Sequence, residues 1–157
     1  MKKLSIIMLC VATIVFASCG TTQNASTSGG SATNTSVAKS QGRSTATALI
    51  TLYNSYRATG TVNLGNATDL SAALIVATGY TNLRSNQADA NYKKAFASGM
   101  VAAGAGLITT NNVNSIINTM NNLTGLNVNA ATISNSVGTA TAIIQLLQAL
   151  GSANLTN

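Results

Sequence analysis

The chain has 157 residues, 46% of them hydrophobic, with eight basic and two acidic side chains, no His and a formal net charge of +6. Charged residues make up 6%, against about 25% in an ordinary globular protein. The lack of His excludes imidazole acid–base chemistry and imidazole metal sites, and two acids, Asp69 and Asp89, exclude most paired-carboxylate designs.

The chain opens on Lys2 and Lys3. A mostly apolar run from Leu4 to Phe16 follows, then Ala17, Ser18 and Cys19, and polarity rises at Gly20. A basic start, an apolar stretch of about 7–15 residues and small residues at its end describe a secretory signal. A transmembrane helix is the alternative. Leu4 to Phe16, coiled at about 1.5 Å per residue, reaches only ~20 Å, short of a ~30 Å hydrocarbon core.

Phe16-Ala17-Ser18-Cys19 resembles the lipobox of bacterial lipoproteins, with Phe16 where Leu, Val or Ile is usual. The short MKK start and the SCG ending look like lipoproteins of Bacteroidota. The resemblance covers about the first twenty residues. It implies that residues 1–18 are a signal peptide, that the Cys19 sulfur receives a diacylglycerol, and that cleavage falls just before Cys19. Gly20 is not the Asp that retains such proteins in the inner membrane, and residues 20–24 lack an acidic surface-export run. The resemblance therefore points to the outer membrane, on its periplasmic face, with the cell surface as the alternative. Cys10 leaves with the signal, so Cys19 is the only cysteine of the mature chain and no intramolecular disulfide is available. Acylation removes the liability of a free thiol in an oxidising envelope. At ~0.8 kcal/mol per buried methylene, one acyl chain anchors marginally and two or three anchor stably.

Residues 19–43 predict a flexible tether. Between Gly20 and Arg43 only Val37 is a large apolar residue, too little to offset the entropy of ordering. Such a segment has a root-mean-square span of roughly 27 Å.

Residues 44–157 predict an all-α domain, a small bundle of about five helices. The first helix spans about Thr45–Ala58, with Ala46, Leu49, Ile50, Tyr53 and Tyr56 on one side. The second spans Asp69–Leu83, with Leu70, Ala73, Leu74, Ala77 and Tyr80 inward, Thr68 as N-cap and Asp69 in the positive first turn. The third spans Ala88–Ile108, with Tyr92, Ala95, Phe96, Gly99, Ala103 and Leu107. The fourth spans Val113–Leu123, with Val113, Ile116, Ile117, Met120 and Leu123, and Asn112 as cap. The fifth spans Ala131–Leu150, with Ile133, Val137, Ala140, Ile144 and Leu147, and Gly151 as its stop. Abundant Thr and Asn lower intrinsic helicity, so packing must supply the stability.

Two stretches echo each other. Thr59-Gly60, Val62-Asn63-Leu64 and Ala67-Thr68 match Thr124-Gly125, Leu126-Asn127-Val128 and Ala131-Thr132. The pattern suggests two helix–loop–helix repeats. An alternative is an α+β domain with short strands in these inter-helix loops. The third helix carries Ala95, Gly99 and Ala103 four apart, a spacing that lets helices approach closely. Packing inside the bundle is the expectation for this seam, with membrane insertion or self-association as the alternative.

The residues predict no enzyme. Ser and Thr are abundant, but no His can activate them. A Ser–Lys pair would need Lys39, placed in the tether, or Lys93 and Lys94, placed at a solvated helix start. Gly104-Ala105-Gly106 resembles part of a phosphate loop but lacks the flanking strand, which favours a packing role. Asp69 and Asp89 fit helix starts, with Asp89 able to pair with Lys93. No metal-ligand cluster and no cofactor site is expected. The mature chain loses Lys2 and Lys3, which lowers the side-chain charge from +6 to +4. The remaining bases are Lys39, Arg43, Arg57, Arg84, Lys93 and Lys94. They are scattered and lack interleaved aromatics, which speaks against nucleic acid. A solvated face is the plain reading, and weak attraction to anionic headgroups the sharper one.

The expected function is that of a non-enzymatic, lipid-anchored envelope protein with a small helical accessory or interaction domain. Tyr53, Tyr56, Tyr80 and Tyr92 are its candidate anchors for an envelope protein partner, and each is equally a core residue with its hydroxyl at the rim. The alternatives are a helical binder of a small apolar ligand or lipid, and a membrane-active protein, suggested by the apolar run Ile143–Leu150.

Overall fold

A computed structural model describes the backbone of residues 30–123 and 137–155, with side chains over residues 34–123 and 138–152. It contains α1 (Gly30–Thr59), α2 (Ala67–Ser85), α3 (Ala90–Ala103), α4 (Val113–Asn122) and α5 (Val137–Leu155). The domain is a small all-α bundle, and no strand occurs among the described residues. The signal segment, Cys19, the first part of the expected tether, the second copy of the sequence echo and Ile133 lie outside the described residues.

The largest departure from expectation is α1, which begins at Gly30 rather than near Thr45. Residues 30–43 are therefore helical, and from Ala38 onward they pack on the bundle. The physical reason is a row of small residues. Ala38, Gly42 and Ala46 recur every fourth position and are all buried. They face the seam of α3, so that a Cβ on Gly42 would lie 2.0 Å from the Phe96 carbonyl oxygen. A Cβ on Gly99 would lie 2.0 Å from the Lys39 carbonyl oxygen. The two backbones touch, and close packing there replaces the bulk that the segment lacks. The α3 seam thus packs inside the bundle, as expected.

A second glycine serves α1 on its other side. Gly79 of α2 meets Thr45, whose Oγ1 would lie 2.1 Å from an added Cβ. The N-cap of α2 is Asn66, not Thr68: the Asn66 side chain accepts from the Thr68 N–H at 2.9 Å. That shift moves Asp69 to the third helical position, where its side chain is buried. It does more than neutralise a helix end. Asp69 Oδ2 accepts from Ser55 Oγ of α1 at 2.9 Å and from the Asn63 N–H at 3.0 Å. The carboxylate thus joins α1, the connecting loop and α2. The loop's Val62 and Leu64 are buried beside it, so their alternation serves to plug the core rather than to pair as a strand.

Asp89 caps α3 by accepting from the N–H groups of Asn91 and Tyr92 at 2.9 and 3.1 Å, rather than pairing with Lys93. The helix ends at Ala103, five residues before the expected Ile108. Gly104-Ala105-Gly106 turns the chain, with φ of 47° at Ala105 and 82° at Gly106. The N–H groups of Leu107 and Ile108 both donate back to the Gly104 carbonyl, and Ile108 becomes fully buried. The triplet is therefore a helix stop, in keeping with a packing role. Asn112 makes no cap bond to α4. It braces the turn instead: its Oδ1 accepts from the Thr109 N–H at 2.8 Å and its Nδ2 donates to the Leu107 carbonyl at 2.9 Å.

All five expected core positions of α4 are buried, from Val113 to the flanking Leu123. In α5 the buried stripe is Ala142, Ile143, Leu146, Leu147 and Leu150. Of the expected face, Leu147 lies inside, while Ala140 and Ile144 are only partly buried. The helix also runs through Gly151 to Leu155. Gly151 does not stop it; the Tyr53 hydroxyl rests where a Cβ would be 3.5 Å away.

Candidate functional site

The four tyrosines separate into two classes. Tyr80 and Tyr92 are interior residues, 5% and 4% exposed, in keeping with the core alternative. The Tyr80 hydroxyl donates to the Leu123 carbonyl at 3.0 Å and accepts from Arg84 Nη1 at 2.5 Å, which ties α2 to the end of α4. Tyr92 stacks on Phe96 at a centroid distance of 6.3 Å, and its hydroxyl donates to Gln41 Oε1 on α1. Burial pushes the Tyr92 phenol above its ordinary pKa. Tyr53 and Tyr56 are half-buried against the core. The Arg57 guanidinium lies over the Tyr53 ring at 5.9 Å. These two keep an exposed edge, and Cys19 lies outside the described residues.

The basic residues are distributed differently from their scatter in sequence. Lys39 comes from the second half of the α1 extension, and Lys93 and Lys94 are the fourth and fifth residues of α3. Because Gly42 and Gly99 bring α1 and α3 together, Lys39 and Lys94 line one hollow of 490 Å³ with Thr35, Ser36, Asn91 and Ser98. Lys94 and Ser98 also border a larger groove of 910 Å³ between α3 and α4, where Lys93 joins them. Val101 and Ile117 lie on its floor, and Asn114, Asn118 and Asn121 of α4 form its opposite side. Both hollows are open to solvent. No ion pair forms among the described residues, and both described acids are engaged elsewhere, Asp69 with Ser55 and Asn63 and Asp89 with the α3 amides.

The clustering was hidden because Lys39 falls in a stretch that reads as tether. The signal that reveals it is the four-residue spacing of Ala38, Gly42 and Ala46, which matches that of Ala95, Gly99 and Ala103. With both rows on helices, Lys39 and Lys94 border the same contact.

Ser36 and Ser98 share a hollow with Lys39 and Lys94, yet among the described residues no hydrogen bond links a lysine nitrogen to either hydroxyl. No group of three His, Cys, Asp or Glu side chains occurs among the described residues. None of the described helices is long and apolar enough to cross a membrane. Comparisons with protein-family models, curated proteins and solved structures find no match to this chain.

Proposed function

We infer that the chain is a lipid-anchored envelope protein whose helical bundle acts as a non-enzymatic accessory or interaction module. The observation that carries this reading is the Phe16-Ala17-Ser18-Cys19 sequence at the end of a basic-then-apolar leader. In this reading residues 1–18 are removed, Cys19 carries the acyl chains, and the outer membrane holds the protein, facing the periplasm. The bundle starts at Gly30, which leaves ten residues between Cys19 and the first helix. Fully extended, that stretch spans at most about 40 Å, so the module stays close to the bilayer.

A small apolar ligand is a weaker occupant for this bundle. The α1–α3 contact is closed by backbone against backbone, and the two hollows are open and bordered by Lys, Ser and Asn.

Metabolic labelling with a palmitate analogue, followed by membrane fractionation, tests the anchor. The wild-type chain should incorporate label and sediment with the outer membrane. Cys19→Ala should lose the label and either stay unprocessed or leave the membrane fraction. A Cys19→Ala chain that migrates and fractionates like wild type rules the anchor out.

A further inference from the structure

We propose that the surface formed by Lys39, Lys93 and Lys94, which spans the α1–α3 hollow and the adjoining α3–α4 groove, is an electrostatic docking surface for the anionic headgroups of the bilayer. Every lysine that follows Cys19 in the sequence lies on this face. The three come from two separate helices and border two adjoining hollows that share Lys94 and Ser98. Neither Asp69 nor Asp89 lines either hollow, and neither forms an ion pair with these lysines. The remaining lining of the α1–α3 hollow is small and hydrogen-bonding: Thr35, Ser36, Asn91 and Ser98. Hydroxyl and amide groups around compact ammonium charges suit phosphate oxygens, and the long lysine stems let those charges reach outward from the hollow.

Position in the chain selects the bilayer as the source of those phosphates. Thr35, Ser36 and Lys39 lie within the first three turns of α1, the end of the bundle closest in sequence to Cys19. An anchor at Cys19 would hold this end nearest the headgroups.

The proposal rests on the lipoprotein reading for the bilayer and for the nearness of this end of α1 to it. Its test uses the chain from residue 19 onward with Cys19→Ser, which carries no acyl group, so its failure is distinct from failure of the anchor. Co-sedimentation is measured with vesicles of phosphatidylcholine alone and with vesicles containing about 30 mol% phosphatidylglycerol. The chain should bind only the anionic vesicles and should be released by about 0.5 M salt. Each lysine near a charged surface contributes roughly fivefold in partitioning. The combined Lys39→Gln, Lys93→Gln and Lys94→Gln variant should therefore bind about a hundredfold more weakly, and Lys94→Gln alone about fivefold more weakly.

A second measurement needs no variant. Amine acylation followed by mass spectrometry should find all three lysines protected on anionic vesicles and reactive on neutral ones. Equal binding to both vesicle types, undiminished binding of the triple variant, or lysines that stay reactive on anionic vesicles would each overturn the proposal. Absence of vesicle binding would also overturn it, and would turn attention to an acidic protein as the partner.

Discussion

Gly42 of α1 and Gly99 of α3 stand in a reciprocal relationship: each lies against the carbonyl three residues before the other, Gly42 on Phe96 and Gly99 on Lys39. Next to each carbonyl is a backbone nitrogen, of Met100 and Arg43 respectively, 3.1 Å from where the Cβ would be. Neither contact can yield by turning a side chain, because both sides are main chain. This crossing places the α1 extension on the domain, and with it Lys39 beside Lys94.

Glycine within a helix ordinarily costs about 1 kcal/mol relative to alanine, so Gly→Ala in open space stabilises. At Gly99 and Gly42 the sign should reverse. Gly99→Ala and Gly42→Ala must separate α1 from α3, and overpacking of this kind costs roughly 1–3 kcal/mol. Gly151→Ala is the matched contrast, because its nearest neighbour, the Tyr53 hydroxyl, sits at an ordinary 3.5 Å. That variant should be neutral or more stable by up to ~1 kcal/mol. Urea denaturation of the three variants reads all three signs. Stabilisation by Gly99→Ala would take the seam out of the core.

A chain that starts at Ser44 should be markedly less stable than one that starts at Gly20. Removing residues 30–43 deletes Ala38 and Gly42 and uncovers the α3 face that carries Tyr92 and Phe96, which are 4% and 0% exposed. Burial of one large apolar side chain contributes about 1.5–3 kcal/mol. The loss should therefore reach at least ~2 kcal/mol, or roughly 10 °C in a domain of this size. Equal melting temperatures for the two chains would return residues 30–43 to the role of linker.

The sequence patterns differ sharply in what they disclose. Residues Val113, Ile116, Ile117, Met120 and Leu123 announce their shared face because bulky apolar groups recur at helical spacing, and all five are buried. Ala38 and Gly42 announce nothing on a hydrophobicity scale. Their contribution is the absence of a side chain, which matters only when another backbone is present to use the space. Asp69 shows the same limit for polar groups. Its place near a helix start is legible, but its partners Ser55 and Asn63 lie fourteen and six residues away, and only the tertiary fold brings them together. The lysine cluster depends on the α1–α3 register and was hidden for that reason. Tyr80 and Tyr92 could be read either way, because an aromatic residue looks alike as core or as anchor until its hydroxyl finds an internal acceptor.

Asp69→Ala should be among the more costly polar substitutions in the bundle. It leaves the Asn63 N–H and the Ser55 hydroxyl without their acceptor in a part-buried setting. Stranding a buried donor costs about 1–3 kcal/mol. Ser55→Ala removes only one of the two bonds and should cost less, about 1 kcal/mol. Because the two residues share a contact, the double variant should fall short of the sum of the single losses. Strict additivity in that cycle would mean that the Ser55–Asp69 bond contributes nothing of its own.

The last prediction concerns alkaline pH. Burial raises the pKa of the Tyr92 phenol, so the folded chain holds this proton to higher pH than the unfolded chain, where tyrosine titrates near ~10. The unfolded state then binds fewer protons than the folded state once the pH passes about 10, and stability must fall with rising pH in that range. The contribution is complete below about pH 10 and is lost as the pH climbs through the raised folded value. The chemistry is local: ionisation removes the hydrogen that the phenol donates to Gln41 Oε1 and places a charge against α1. Tyr92→Phe should lower stability modestly near pH 8, by about 1 kcal/mol for the lost bond. Between about pH 9 and pH 11 its urea midpoint should fall less steeply than that of the wild-type chain. Phenolate absorbance near 295 nm, compared between wild type and Tyr92→Phe, supplies an independent reading, in which Tyr92 should ionise late in the native protein and normally in urea. Parallel pH slopes for wild type and Tyr92→Phe would assign the alkaline loss to other groups and detach Tyr92 from it.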